Sequence, residues 1–269
     1  MWKDVNIMAN TQIRFEDGAT YERYMGIWSQ LVGAKFLDWL APKTGLNWLD
    51  VGCGNGAFTE MVVERHQPSM ITGVDPSAAQ IAFARQRLAN YPAELHEADA
   101  MALPLADNSV HAAVMPLVIF FVPEPAQGVA EMARVVAPGG SVSAYAWDMF
   151  GGGFPYVLLQ QALIDAGISV PRPPSVEASQ LSVMHELWLQ AGLTKVETAV
   201  IKVRRNFVDF ADYWETVTGA PSVGPQIRAM TTTQQQTVQT QLQASLPIAA
   251  DGHISIEAHA NAIKGVVAE

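Results

Sequence analysis

The feature that most constrains the fold is the segment WLDVGCGNGAF, residues 48–58, in which an apolar run leads into three glycines and then into a helical pattern. Gly52, Gly54 and Gly56 let the backbone turn sharply and let a ligand approach the main chain at the N-terminus of the helix. A strand, a glycine turn and a helix in this order are typical of parallel α/β folds that bind nucleotides. The segment therefore predicts a ligand site at the carboxyl end of an early strand.

The residues that follow alternate between strand-like and helix-like patterns. Strands are predicted at 47–51, 70–74, 93–97, 110–115 and 141–147, and helices at 57–66, 77–90 and 126–136. Strands separated by helices of about 10 to 15 residues imply a parallel sheet with helices on both faces. In front of this alternation a helix is predicted at 20–40, bent at Gly33 and ended by Pro42.

The pattern changes after Gly153. Helices are predicted at 155–166 and 178–191, and strands at 195–204 and 253–263. The long stretch between the last two strands contains TTTQQQTVQTQLQ and is too long for a plain loop. Its Gln and Thr bias is compatible with disorder, but Val238, Leu242 and Leu246 recur every four residues, which favours an amphipathic helix.

Charge and cysteine content exclude several classes of function. The net charge is −10, from 16 Lys and Arg against 26 Asp and Glu, which argues against nucleic acid or an anionic membrane as partner. Cys53 is the only cysteine, so an internal disulfide, a thiolate zinc site and an iron–sulfur cluster are excluded, and no metal is predicted. A single cysteine fits a reducing compartment, and we expect a cytoplasmic protein.

Asp50 distinguishes two ligands that the glycine loop would accept. Gly52, Gly54 and Ala57 also satisfy the loose dinucleotide fingerprint, and Asp75 stands about 20 residues further on, as that fingerprint requires. Asp50, however, precedes the first glycine by two residues, where a pyrophosphate would lie, and two like charges there would be costly. S-adenosylmethionine carries an ammonium group, a sulfonium group and no phosphate, so the carboxylate favours it.

Over about residues 24–147 the sequence resembles the class I S-adenosylmethionine-dependent methyltransferases, in particular the small-molecule group of the ubiquinone and menaquinone type, whose first motif reads LDVGCGTG. The later motifs follow in order as GVDPS, ADAMALPLADNS, MPLVIFFVPEP and EMARVVAPGG, the last with Pro138–Gly140 placed before strand five. His111 stands where the family usually has Asp, and no Arg precedes Trp28 within the phrase YMGIWS. The resemblance implies a doubly wound, Rossmann-like α/β fold with seven strands in the order 3-2-1-4-5-7-6, the last one antiparallel.

The resemblance also implies the cofactor site. In that family the acid at Asp75 binds both ribose hydroxyls, and the acid at Asp99 accepts the adenine amino group. The residues implied to bind the cofactor are Tyr24, Asp50, Gly52, Gly54, Gly56, Asp75, Pro76, Asp99, Ala100, Met101 and Met115. Tyr24 has a second interpretation, because its ring either faces the sulfonium or belongs to the buried stripe of the front helix.

Methyl transfer is an in-line displacement, so few side chains need to react. Asp148 follows strand five and is a candidate base, hydrogen-bonding group or helix cap; His259, in the last strand, is the other candidate base. The methyl acceptor is expected to be a small organic molecule, and its reacting atom (O, N or C) stays open. Aromatic and methionine side chains near the strand ends favour an apolar acceptor, namely Phe120, Phe121, Trp147, Met149 and Phe154.

Three parts of the chain are predicted: an N-terminal helical cap at 1–42, a methyltransferase domain at 43–207 and 251–269, and a helical insertion at 208–250. The insertion contains Tyr213, Trp214, Pro221 and Pro225 and is interpreted as a lid over the acceptor or as a cover or dimer contact, so monomer and homodimer stay open. Two other functions compete. An NAD-dependent oxidoreductase is disfavoured by Asp50, and a non-catalytic nucleotide-binding module is compatible with the same motifs.

Overall fold

A computed structural model describes residues 22–220 and 223–269; Pro221 and the start of the predicted front helix lie outside these ranges. The strands are β1 Asn47–Val51, β2 Met70–Asp75, β3 Ala93–Glu97, β4 Val110–Pro116, β5 Val136–Trp147, β6 Leu193–Phe207 and β7 Ile254–Val267. Within the described ranges they form one seven-stranded sheet in the order β3-β2-β1-β4-β5-β7-β6. The first five strands pair in parallel, and β7 is antiparallel to both β5 and β6. The predicted fold class is confirmed.

The helices of the domain are α1 Ile27–Leu40, α2 Ala57–His66, α3 Ala78–Arg87, α4 Pro125–Val135, α5 Val157–Asp165 and α6 Leu181–Gln190. Between β6 and β7 lie α7 Phe210–Thr218, α8 Gly224–Ala229 and α9 Thr232–Ser245. Two short 3-10 turns, Ile119–Phe121 and Val176–Ser179, follow β4 and precede α6. None of these helices combines the length and the apolar character needed to cross a bilayer.

Helices cover both faces of the sheet, as the alternating pattern predicts. Lys264 and Gly265 are successive residues of β7, so their Cβ directions point to opposite faces. Lys264 Nζ lies 4.7 Å from the ring centroid of Trp39 in α1. On the other face, a Cβ added at Gly265 would lie 2.8 Å from Cδ1 of Trp188 in α6. The strands between these helices supply one large apolar core, and a smaller buried cluster around Ile81 and Leu95 lies beside α3.

Gly33 and Pro138–Gly140 lie inside the elements that they were expected to bend or to precede. Gly33 lies inside α1, and an irregular π-helical turn, Glu22–Gly26, precedes that helix. Gly33 instead permits close packing, because a Cβ there would lie 3.1 Å from the Tyr145 hydroxyl oxygen. Pro138–Gly140 lie within β5 rather than before it, since Val110 already pairs with Val136 and the register then jumps to Ala112 with Ser141. The extra residues bulge out of the ladder.

The Gln-rich stretch forms a regular helix. Thr231 and Gln234 make a capping box at the start of α9, each side chain accepting a hydrogen bond from the other residue's backbone N–H. Val238 and Leu242 on its inner face are buried. The amphipathic interpretation is therefore confirmed.

A buried polar cluster fastens the front segment to the sheet. The Tyr156 hydroxyl donates to the Tyr24 carbonyl oxygen at 2.7 Å and accepts from Trp28 Nε1 at 3.1 Å. Arg205 Nη1, from β6, donates to the same Tyr24 oxygen at 3.2 Å. Tyr213 of α7 packs beside Tyr156 with ring centroids 6.3 Å apart. Three segments thus meet at one end of the sheet: the front turn Glu22–Gly26, Tyr156 just before α5, and α7 of the insertion.

Candidate active site

The glycine loop joins the carboxyl end of β1 to the start of α2. Gly52, Gly54 and Gly56 all have positive φ, at 75°, 52° and 82°. The Gly52 and Cys53 N–H groups both donate to the Val74 carbonyl, at 2.8 and 2.9 Å, which holds the loop against the end of β2. These left-handed conformations explain the glycines physically, because residues with a Cβ adopt them at a cost.

The glycines differ in what surrounds them. A Cβ at Gly52 would lie 2.4 Å from Val118 Cγ2, so the chain itself requires glycine there. A Cβ at Gly54 would meet no described heavy atom within 4 Å. Space therefore lies open beside Gly54, where a ligand can approach the main chain.

Asp50 is a fully buried carboxyl group beneath this loop. Its Oδ2 accepts from the Thr59 hydroxyl at 2.6 Å, whereas its Oδ1 is buried and has no hydrogen-bond partner among the described residues. Desolvation raises the pKa of Asp50 to about 7; the Thr59 hydrogen bond lowers it, and the nearby Asp75 charge raises it further. An unpartnered buried acceptor of this kind is costly for the fold and suits a cationic donor.

Asp75 ends β2 and is tied to two loops. Its Oδ2 accepts from the Gly54 N–H at 3.0 Å and its Oδ1 from the Ser77 N–H at 2.9 Å. Burial raises the pKa of Asp75, and these two backbone hydrogen bonds oppose the rise. Each carboxylate oxygen keeps a second lone pair for a ligand hydroxyl. Pro76, between the carboxylate and α3, is exposed.

The remaining cofactor candidates lie at the ends of β3 and β4. Asp99 is exposed and its Oδ1 accepts from the Met101 N–H at 2.8 Å, while Gln127 Nε2 donates to the Met101 carbonyl at 2.9 Å. Ala100 and Met101 are half-buried, and Met115 is fully buried near the end of β4. The parallel strands thus bring Asp50, Asp75 and Asp99 to one edge of the sheet.

Tyr24 is buried, and its ring stacks on Tyr156 with centroids 4.3 Å apart and planes inclined by 10°. One face of the ring is therefore covered by protein, as the buried-stripe interpretation expects. The predicted contact between Tyr24 and a sulfonium concerns the other face of the ring.

The two candidate bases meet. The Oδ2 atom of Asp148 lies 3.3 Å from Nε2 of His259. The Asp148 side chain is 19% exposed and the His259 side chain is 27% exposed. The Asp148 Oδ1 also accepts from the Phe150 and Gly151 N–H groups, at 3.2 and 2.7 Å. Asp148 therefore caps a turn and contacts His259 at the same time.

Two supporting groups were missed by the sequence analysis. Thr59 sits in the first turn of α2, and its hydroxyl donates to Asp50; a hydroxyl residue in the first turn of AFTEMVV was the available signal. Arg87 Nη1 donates to Asn55 Oδ1 at 3.0 Å, and the Asn55 Oδ1 accepts from the Ala57 N–H at 3.2 Å. No local pattern in the sequence points to that bond, because it joins the loop to the end of α3.

Comparisons with known proteins agree with this architecture. The family model described as "Methyltransferase domain" matches residues 49–144, which run from within β1 to within β5. Residues 49–144 therefore match a methyltransferase domain, and the predicted resemblance is confirmed over this segment.

One curated relative is a demethylmenaquinone methyltransferase of Desulfitobacterium hafniense, 35% identical over 40% of this chain and 45% of its own length. The matches span only 31%, 45% and 50% of the first three curated relatives. Among solved structures, the YcgJ protein of Bacillus subtilis has a TM-score of 0.60 at 16% identity, covering 88% of this chain and 98% of its own. Phosphoethanolamine N-methyltransferase 2 of Haemonchus contortus has a TM-score of 0.57 at 17% identity, covering 93% and 56%. At these identities the structures show a shared fold.

Proposed function

We propose that this chain transfers a methyl group from S-adenosylmethionine to a small organic acceptor. The observation that carries the proposal is the buried, unpartnered Oδ1 of Asp50 beneath the glycine loop. A donor with an ammonium group supplies the missing partner, whereas a pyrophosphate would add a like charge. The matched methyltransferase domain supports the same donor.

The residues at the sheet edge fit the parts of this donor. Asp50 holds the ammonium group, and binding the cation keeps the carboxyl ionised at neutral pH although its pKa in the free protein is about 7. Asp75 accepts from the two ribose hydroxyls with the lone pairs that its backbone bonds leave free. Asp99 accepts from the adenine amino group, flanked by Ala100 and Met101.

When bound, the donor supplies an electrophilic methyl group on its sulfonium. The chain's own contribution is orientation and exclusion of water. Gly54 leaves room for the donor beside the loop, and Val118 packs against Gly52 from the loop that follows β4. The stacked Tyr24 and Tyr156 hold the turn Glu22–Gly26 against the residue before α5.

We propose an apolar ring system as the acceptor. Phe121, Met149 and Phe154 are half-buried at the strand ends, whereas Phe120 and Trp147 are buried in the core. The relative from Desulfitobacterium hafniense acts, by its name, on demethylmenaquinone, a molecule with such a ring. The net charge of −10 argues against nucleic acid as the acceptor.

We also propose that 208–250 is a movable lid over the acceptor. α9 contacts α5, and Tyr213 of α7 joins the buried cluster that holds the front turn. The insertion is thus attached to the segments that flank the carboxyl edge of β5.

Calorimetry with S-adenosylmethionine and with NAD tests the donor directly. We expect a dissociation constant in the micromolar range for S-adenosylmethionine and no heat with NAD. NAD binding alone would support the oxidoreductase instead. Incubating the loaded protein with a cell extract and searching for acceptors that gain one methyl group then tests transfer; donor binding without any methylated product would indicate a non-catalytic module.

A further inference from the structure

The geometry points to Asp148 and His259 acting as one proton-accepting pair, in which His259 Nδ1 takes the proton of an aromatic hydroxyl group and Asp148 positions the ring. The inference rests on the proposed function and names the acceptor class of the same site. It was not accessible from the sequence, because the pairing depends on the register of β5 against β7.

The main chain holds the two residues in place from both sides. The Asp148 N–H donates to the His259 carbonyl at 3.2 Å, and the His259 N–H donates to the Gly153 carbonyl at 3.1 Å. The Gly153 N–H in turn donates to the Asp148 carbonyl at 2.8 Å. A Cβ at Gly153 would lie 2.9 Å from His259 Cδ2, so glycine is required for the imidazole to lie there.

The hydrogen bonds of Asp148 determine which imidazole nitrogen is free. An ionised carboxylate only accepts, so the His259 nitrogen that faces it, Nε2, carries the hydrogen. Nδ1 is then the basic nitrogen, and no described residue bonds it. With its side chain 27% exposed, the ring is accessible to a ligand.

The pair lies at the edge of the sheet where the donor is proposed to bind. Asp148 directly follows β5, and β5 is separated from β1 only by β4. Two strand spacings place the pair about 10 Å from the strand that carries the glycine loop. Half-buried Met149 and Phe154 belong to the loop that carries Gly153, which suits an apolar ring.

Few other charges face His259. Its direct partner in β6 is Lys202, whose side chain lies on the same face of the sheet. Two residues earlier on that face, Glu257 is paired with Arg204. Asp148 is the carboxylate in contact with the ring.

A pair of this kind is needed by an acceptor that is neutral at pH 7 and loses a proton as it is methylated. The O–H bond breaks, its proton passes to Nδ1, and its electron pair becomes available to the oxygen. The oxygen then forms the O–CH₃ bond, while the electron pair of the carbon–sulfur bond stays on sulfur and leaves a neutral thioether. The imidazolium releases its proton to solvent. Phenolic and enolic hydroxyls fit this description.

Nitrogen NMR of histidine-labelled protein tests the pair without turnover. We expect His259 to show the Nε2–H tautomer in the wild type. In Asp148→Asn the amide oxygen still accepts from Phe150 and Gly151, but the amide NH₂ faces the ring, so the tautomer reverses to Nδ1–H. An Nδ1–H tautomer in the wild type, or one that the substitution leaves unchanged, would overturn the assignment.

The acceptor class is tested with 2-naphthol on protein saturated with S-adenosylhomocysteine. We expect 2-naphthol to shift the His259 nitrogen signals in the wild type and to be methylated when S-adenosylmethionine replaces the product. His259→Gln should slow that methylation about 100-fold at neutral pH while donor affinity stays within about threefold. Added imidazole should restore part of the rate in His259→Ala.

Intact donor binding with neither His259 shifts nor methylated 2-naphthol overturns the hydroxyl-acceptor inference and leaves the proposed function standing. Failure of S-adenosylmethionine to bind overturns the proposed function itself. A rate that falls in His259→Gln together with the unfolding temperature, and without rescue by imidazole, assigns His259 a structural role and also overturns the pair.

Discussion

At the scale of single residues, the most informative feature is the carboxyl group of Asp50, whose burial costs free energy of folding. Asp50 is fully buried, and one of its two oxygens lacks a partner among the described residues. Burial raises its pKa to about 7, so in the free protein the charged form is disfavoured near neutrality. Such groups concentrate at functional sites, because a ligand can supply the interaction that the fold withholds.

The first prediction concerns the stability of Asp50→Asn without ligand. The folded pKa of about 7 exceeds the ordinary value of 3.8, so the wild type loses stability as pH rises between these values and levels off above 7. The amide still accepts from Thr59 and carries no charge. From pH 5 to pH 8 the advantage of the variant should grow by about 2 to 3 kcal/mol, measured by urea unfolding.

Thr59→Val serves as the matched control, since it removes the hydroxyl that lowers the pKa of Asp50. Its pH dependence should extend to a higher pH than that of the wild type. Parallel stability profiles for the wild type and Asp50→Asn would show that Asp50 is not a raised-pKa group.

At the scale of elements, two glycines of the loop have different roles. Gly52 is required by the fold, whereas we expect Gly54 to be required by the ligand. Gly52→Ala places a methyl group 2.4 Å from Val118 at a φ of +75°. Gly54→Ala meets nothing within 4 Å and bears only the strain of a φ of +52°. The two substitutions are chemically identical and differ in their surroundings.

We therefore predict opposite outcomes for them. Gly52→Ala should lose about 2 to 4 kcal/mol of unfolding free energy from clash and strain together. Gly54→Ala should lose about 1 kcal/mol but bind S-adenosylmethionine at least about tenfold more weakly, because its methyl group occupies the ligand's approach. Thermal unfolding and calorimetry measure the two effects; unchanged affinity in Gly54→Ala would show that the ligand does not lie beside this glycine.

The proposed lid makes a prediction for α7 to α9. Backbone amides of these helices should exchange readily in the free protein and gain protection when donor and acceptor are both bound, measured by hydrogen exchange. Trp214→Ala should impair transfer while donor affinity stays within about threefold. Protection that is high throughout and increases with protein concentration would instead indicate a dimer contact.

Elements with a strong local pattern were predictable from the sequence, and pairings across the sheet were not. The apolar runs and glycines marked β1 and β2, and the spacing of Val238 and Leu242 marked α9. The bulge at Pro138–Gly140 was not recognised, because a proline followed by two glycines does not show the alternation of apolar and polar residues that marks a strand. The pairing of Asp148 with His259 depends on a register that places Trp147 opposite Ala260, and no local pattern sets it.

At the scale of the whole molecule, the parallel strands place the acidic candidate site residues at one edge of the sheet. Asp50 lies near the end of β1, Asp75 ends β2, and Asp99 and Asp148 follow β3 and β5. The strand order itself was an implication of the family resemblance, since alternation of strands and helices predicts a parallel sheet without specifying neighbours. The three acidic positions could be found in the sequence, whereas their burial and partners required the structure.

We propose that Asp50 receives the ammonium group of S-adenosylmethionine, and calorimetry on Asp50→Asn measures this contact. The variant should bind S-adenosylmethionine and S-adenosylhomocysteine about 10-fold to 100-fold more weakly than the wild type, from loss of a charge-assisted hydrogen bond. 5′-Methylthioadenosine, which lacks the ammonium group, should bind both proteins equally. Equal weakening for all three ligands, or none for any, would contradict the claim.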